Sequence, residues 1–162
     1  MVKLIKDYVK EGNYLLVDEK TTVEEAVKKY VEKKLGGVLV TKGKEVIGIF
    51  TEKDLSEKVI AAGKDAKKLA ISEVMTKNPV FIASNTDVDS CMFMMMRNKF
   101  RHLPVKDNQG NVYSVASVMD VLKAKLEDVT ELEQSANIYE QTRLIDRSED
   151  TISKITKQYE SK

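Results

Sequence analysis

An α+β fold is predicted, with two β-α-β-β-α repeats packed about a pseudo-twofold axis and followed by a C-terminal helical tail. Three observations predict it. First, the chain repeats itself. Ile5-Lys6-Asp7-Tyr8-Val9 matches Ile71-Ser72-Glu73-Val74-Met75, Thr22-Val23-Glu24-Glu25-Ala26-Val27 matches Asp87-Val88-Asp89-Ser90-Cys91-Met92, and 46–54 matches 112–120, at offsets of 66, 65 and 66 residues. Second, helical and strand periodicities alternate in the same order in both copies. Third, two helices cannot cover both faces of a three-stranded sheet, so each copy needs the other, and the halves are expected to pack sheet to sheet.

In the first copy, Tyr14-Leu15-Leu16-Val17 is a short apolar run between Gly12-Asn13 and Asp18-Glu19, which suits a buried strand. Thr22 with Glu25 makes a capping box, and Val23, Ala26, Val27, Tyr30 and Val31 fall on one face of the helix that follows. Gly36-Gly37 ends that helix. Residues 38–41 and 45–50 form a hairpin across Lys42-Gly43-Lys44, and a second helix spans about Glu52 to Ala62. The second copy repeats the order, with strands at 80–83, 103–106 and 112–116 and helices at 87–99 and 118–126. Repeat 1 with its lead-in thus occupies 1–70, repeat 2 occupies 71–127, and an extension occupies 128–162. In the extension Val129, Leu132, Ala136 and Tyr139, then Ile152, Ile155 and Tyr159, step by three and four, as expected of helices that dock on a core or a partner.

Composition excludes several classes of function. The 27 Lys and Arg residues balance 26 Asp and Glu, so no global basic surplus argues for nucleic-acid or anionic-membrane binding, and only a local basic patch stays open. No apolar run reaches the roughly 20 residues that cross a bilayer. One cysteine, Cys91, and one histidine, His102, allow neither a disulfide within the chain nor a His/Cys zinc cluster. A cytoplasmic protein without a metal or a required cofactor is expected. An enzyme ranks last, because no nucleophile and base can be paired without reusing the residues singled out next.

The sharpest local element is Gly48-Ile49-Phe50-Thr51-Glu52-Lys53-Asp54, a strand that runs straight into a helix; its second copy is Ser114-Val115-Ala116-Ser117-Val118-Met119-Asp120. A carboxylate one turn into a helix can accept two hydrogen bonds from a ribose diol, while a hydroxyl and free N–H groups favour phosphate. Thr-x-x-Asp is equally an ordinary cap that needs no ligand.

These motifs, with Arg101-His102-Leu103-Pro104-Val105 and the connector Glu73-Val74-Met75-Thr76, make residues 4–127 resemble a tandem pair of CBS (cystathionine-β-synthase) domains. The resemblance implies a regulatory module, not an enzyme. Such modules bind AMP, ADP or ATP, and less often NAD or S-adenosylmethionine, between the repeats and transmit occupancy to a partner protein. By position, Thr51 with Asp54 and Ser117 with Asp120 would hold ribose and phosphate. Arg101 and His102 would serve phosphate, Val38, Leu39 and Leu103 would wall the adenine, and Gly37, Pro104 and Lys53 would complete the ligand-binding set. Ser114 stands where the resemblance implies glycine, which sets the second site apart. Phe93, Met94, Met95 and Met96 add an apolar face that Lys28 and Lys29 deny the first repeat, and similar pairs form homodimers through these helices. The rival reading is a dimerisation or docking module with degenerate clefts.

Overall fold

The computed structural model describes the backbone of residues 1–135 and the side chains of residues 1–127. The expected helical positions Ala136, Tyr139, Ile152, Ile155 and Tyr159 lie outside the described residues. Residues 1–122 form one compact unit and residues 123–162 a second.

The first sheet contains β1 (Leu16–Asp18), β2 (Gly37–Lys42), β3 (Glu45–Thr51) and β4 (Thr76–Lys77) in that order, with β1 parallel to β2 and the other neighbours antiparallel. The second sheet contains β5 (Ile82–Ala83), β6 (His102–Lys106) and β7 (Val112–Ser117), again with its first pair parallel and its second antiparallel. The two hairpins share one register. Gly37 faces Thr51 as His102 faces Ser117, and Val40 faces Gly48 as Val105 faces Ser114. Each ladder then slips, between Val40 and Thr41 in one and between Val105 and Lys106 in the other.

Helix α1 (Val23–Glu32) starts at Thr22, whose side chain accepts a bond from the Glu25 amide at 3.3 Å. Its counterpart α3 (Val88–Asn98) starts at Asp87, whose carboxylate accepts from the Ser90 amide at 2.7 Å. Val23, Ala26 and Tyr30 bury the inner face of α1, but Val31, expected on that face, is exposed because it falls at the edge of the stripe in the last turn. The second helix of repeat 1 covers the expected span but not with one winding. A single turn α2 (Glu52–Asp54) passes into a π-helical segment over Leu55–Ile60. The Ser56 hydroxyl donates to the Glu52 carbonyl at 3.0 Å and competes with the regular ladder for that acceptor. Leu122 occupies the corresponding place in the second repeat, and there α4 (Val118–Ser135) is a regular α-helix.

The two lead-in segments cross over. The Ile5 amide donates to the Thr86 carbonyl at 2.8 Å, Lys6 to Ser84 at 3.1 Å, and Val88 to Lys3 at 3.0 Å. Shifted by one repeat, the same three bonds recur as Ile71 to Thr21 at 2.8 Å, Ser72 to Glu19 at 3.2 Å and Val23 to Leu69 at 3.0 Å. Each lead-in therefore serves the other repeat. Ile71 and Val74 belong to the apolar core built by Val17, Tyr30, Val38 and Phe50 of repeat 1.

This crossing accounts for the serine at position 114. Gly48 lies under the second lead-in, where an added Cβ would strike the Met75 sulfur. Ser114 lies fully buried under the first lead-in, and its hydroxyl donates to the Lys10 carbonyl at 2.8 Å. The serine is thus a satisfied core residue that ties the two halves together.

The methionine run divides by face. Met95 is buried with Val88 and Cys91, at positions i, i+3 and i+7 of the helix, so it does not belong to the outer apolar surface. That surface is carried by Phe93, 61% exposed, and Met96, 72% exposed, together with Met119 and Leu122 on α4. Burial pushes the Cys91 thiol up to about 11, in keeping with a core residue.

Candidate functional site

Two of the clefts within residues 1–122 hold the hydroxyl–carboxylate pairs, and each of these draws its walls from both repeats. Cleft 1, about 250 Å³, lies beside Thr51 and Asp54 and is closed by Asn78, Pro79, Arg101, His102, Leu103 and Pro104. Cleft 2, about 150 Å³, lies beside Ser117 and Asp120 and is closed by Asn13, Gly36, Gly37, Val38 and Leu39. The residues singled out in the sequence, Lys53 included, all come to these two places.

Both hydroxyl–carboxylate pairs form the cap that the pattern allows. In cleft 1 the Thr51 amide and hydroxyl donate to Asp54 Oδ2 at 2.9 and 3.2 Å. In cleft 2 the Ser117 amide and hydroxyl donate to Asp120 Oδ2 at 2.7 and 2.6 Å, and the Asp120 amide donates back to the Ser117 hydroxyl at 3.3 Å. The cap leaves the other carboxylate oxygen for a second use, and there the clefts differ. Asp54 Oδ1 accepts from the Thr76 hydroxyl at 2.9 Å and is 2.6 Å from the Lys58 ammonium, which also donates to the Thr76 hydroxyl at 3.0 Å. Asp120 Oδ1 has no such partner among the described residues.

His102 lines both clefts. A Cβ on Gly36 would lie 2.6 Å from its Nε2, so only glycine lets the ring settle there. Burial holds the imidazole below its ordinary pKa; Glu52 and Asp120 oppose that shift and Arg101 adds to it. The ring is therefore neutral near pH 7, and Arg101, which is exposed, is the cation of this pair.

The apolar positions differ in what they offer a ligand. Val38 belongs to the core of repeat 1, and strand alternation turns the buried Leu39 to the opposite face of the sheet. Sequence reasoning passed over Lys58, Asn78, Lys34 and Lys99. Lys34 and Lys99 stand one repeat apart, each in the left-handed region with φ of 56° and 55°, and each lies at the mouth of its own cleft. Their signal was the shared offset, hidden by the abundance of lysine.

A CBS domain model matches residues 5–61 and 71–127. Over 75% of its length the chain is 33% identical to the CBS domain-containing protein CBSCBSPB1 of Arabidopsis thaliana, and it spans 22% of that protein. Among solved structures, the CBS-domain containing protein ATU1752 from Agrobacterium tumefaciens matches with a TM-score of 0.68 at 32% identity, over 76% of this chain and 99% of that one. CBSX2 of Arabidopsis thaliana, solved in complex with AMP, shares the fold with a TM-score of 0.62 at 24% identity, over 77% of this chain and 97% of that one.

The half-buried histidine fixes a sign for the pH dependence of folding. Its native pKa is lowered from 6.5, so below that value the unfolded chain binds the proton more readily, and stability is lost as pH falls. Above that value the contribution is fully present. Urea unfolding at about pH 7.5 and about pH 5 should show a larger loss for wild type than for His102→Asn across this range. Equal losses would mean that the ring titrates as a solvated histidine.

Proposed function

The chain belongs to the CBS-domain family, and on that premise we propose that it is a non-catalytic sensor that takes AMP, ADP or ATP between its repeats and reports occupancy to a partner protein. The observation that carries this reading is the pair of clefts, each with a hydroxyl–carboxylate couple on one repeat and walls supplied by the other. Each carboxylate stands where it could accept the ribose diol. Arg101, with Lys53 and Lys99 beside it, would meet phosphates at cleft 1 by charge-assisted bonds. Leu103, Pro104 and Leu39 would border the base. A ligand held by both repeats has a differential contact with any state in which they shift, and that is what a switch requires. The AMP complex of CBSX2 supports the choice of nucleotide.

The same proposal assigns the outer faces of α3 and α4 to a second copy of the chain. Phe93, Met96, Met119 and Leu122 expose apolar surface where repeat 1 has Lys28, Val31, Lys53 and Ser56. An apolar patch rimmed by charge is the mark of a protein contact.

Two outcomes test these assignments. Replacing Asp54 and Asp120 together by Ala should weaken AMP binding, followed by titration calorimetry, by roughly 1.5–3 kcal/mol, while the fold survives. Retained affinity with reduced stability would leave the two residues as caps alone. For the dimer, Phe93→Lys with Met96→Lys should give a folded monomer by light scattering, and an unchanged dimer would move the interface elsewhere.

A further inference from the structure

We propose that the two clefts are unequal nucleoside sites, that Asp120 takes the ribose first, and that Lys58 is the residue withholding Asp54. This deepens the nucleotide reading and rests on it. An ionised carboxylate offers about four acceptor positions, two on each oxygen. At Asp54 four donors occupy them: the Thr51 amide at 2.9 Å and hydroxyl at 3.2 Å on Oδ2, and the Thr76 hydroxyl at 2.9 Å and Lys58 ammonium at 2.6 Å on Oδ1. A ribose diol brings two more donors. It must displace two of these, and because Asp54 is only 7% exposed, giving up the Lys58 ion pair takes a charged partner from a buried carboxylate.

Asp120 presents the opposite case. Its Oδ2 accepts from the Ser117 amide and hydroxyl, and among the described residues its Oδ1 accepts nothing, which leaves two positions for a diol. The difference comes from the sequence. One helical turn beyond Asp54 stands Lys58, whereas position 124, one turn beyond Asp120, is alanine. Thr76, the second donor to Oδ1, corresponds to Lys10, which makes no hydrogen bond or ion pair with Asp120 among the described residues. The cleft with the departing serine is thus the better prepared of the two.

Lys58 lies on a helix surface with its side chain 38% exposed, so it can be changed without opening the core. Titration calorimetry with AMP on the full chain tests the ranking. Wild type should show one tight event per chain, and Asp120→Asn should weaken it by roughly tenfold or more, the loss expected for charged hydrogen bonds. Lys58→Ala should add a second event of comparable affinity, and Lys58→Ala combined with Asp120→Asn should still bind, now through Asp54. Lys58→Met, which keeps the aliphatic stem, should behave as Lys58→Ala does and serves if the alanine variant melts early. Two equal events in wild type, binding that survives Asp120→Asn unchanged, or a stoichiometry indifferent to Lys58 would overturn the ranking alone. An absence of heat in every protein would overturn the nucleotide reading as well.

Discussion

The crossing of the two lead-ins is the constraint on which the rest of the molecule depends. Residues 3–12 hydrogen-bond to the second repeat and residues 69–78 to the first, by the same donors and acceptors shifted by one repeat. A half removed from this arrangement would lose backbone partners as well as apolar cover, since Ile71 and Val74 complete the core of repeat 1. Each such bond contributes only about 0.5–1.5 kcal/mol net, but a buried group left without its partner costs about 1–3 kcal/mol. The halves are therefore obliged to stay together, and the clefts follow. Asn78 and Pro79 close cleft 1, and Asn13 closes cleft 2, because the crossing segments continue past them.

Much of this was legible in the chain. The paired offsets placed both hairpins, both first helices and both hydroxyl–carboxylate couples, and the hairpin registers agree residue for residue. The crossing itself was not legible, because Ile5 and Ile71 suit either core equally well when the cores are copies. The π-helical segment was hidden for another reason: Ser56 reads as a solvated helix position until its hydroxyl is seen on the Glu52 carbonyl. Lys58 was available as an i,i+4 partner of Asp54 but was indistinguishable from the other lysines on helix surfaces. Ser114 looked like damage to a ligand site. Its burial under the first lead-in shows that the side chain faces the seam and not a ligand.

Duplication of a site need not preserve its use. The two carboxylates keep the same cap, yet Lys58 and Thr76 act on one, while the residue one helical turn further along the sequence from the other is alanine. The cations are also unevenly shared, since among the described residues Lys53, Lys58, Lys99 and Arg101 border cleft 1 and Lys34 borders cleft 2. Between the clefts sits His102, in contact with Gly36 of the other repeat and common to both walls. Two sites that differ in charge and share a side chain can respond to different ligands or to different concentrations of one.

Thermal unfolding of the full chain against a panel of AMP, ADP, ATP, GMP and inorganic phosphate tests the central claim most directly, because it needs neither a known partner nor a known output. A ligand that binds only the folded state stabilises it by about 2.7 kcal/mol at 100 times its dissociation constant. The account predicts such a shift with at least one adenine nucleotide and none with phosphate alone. A melting temperature unmoved by every adenine nucleotide at millimolar concentration would contradict it.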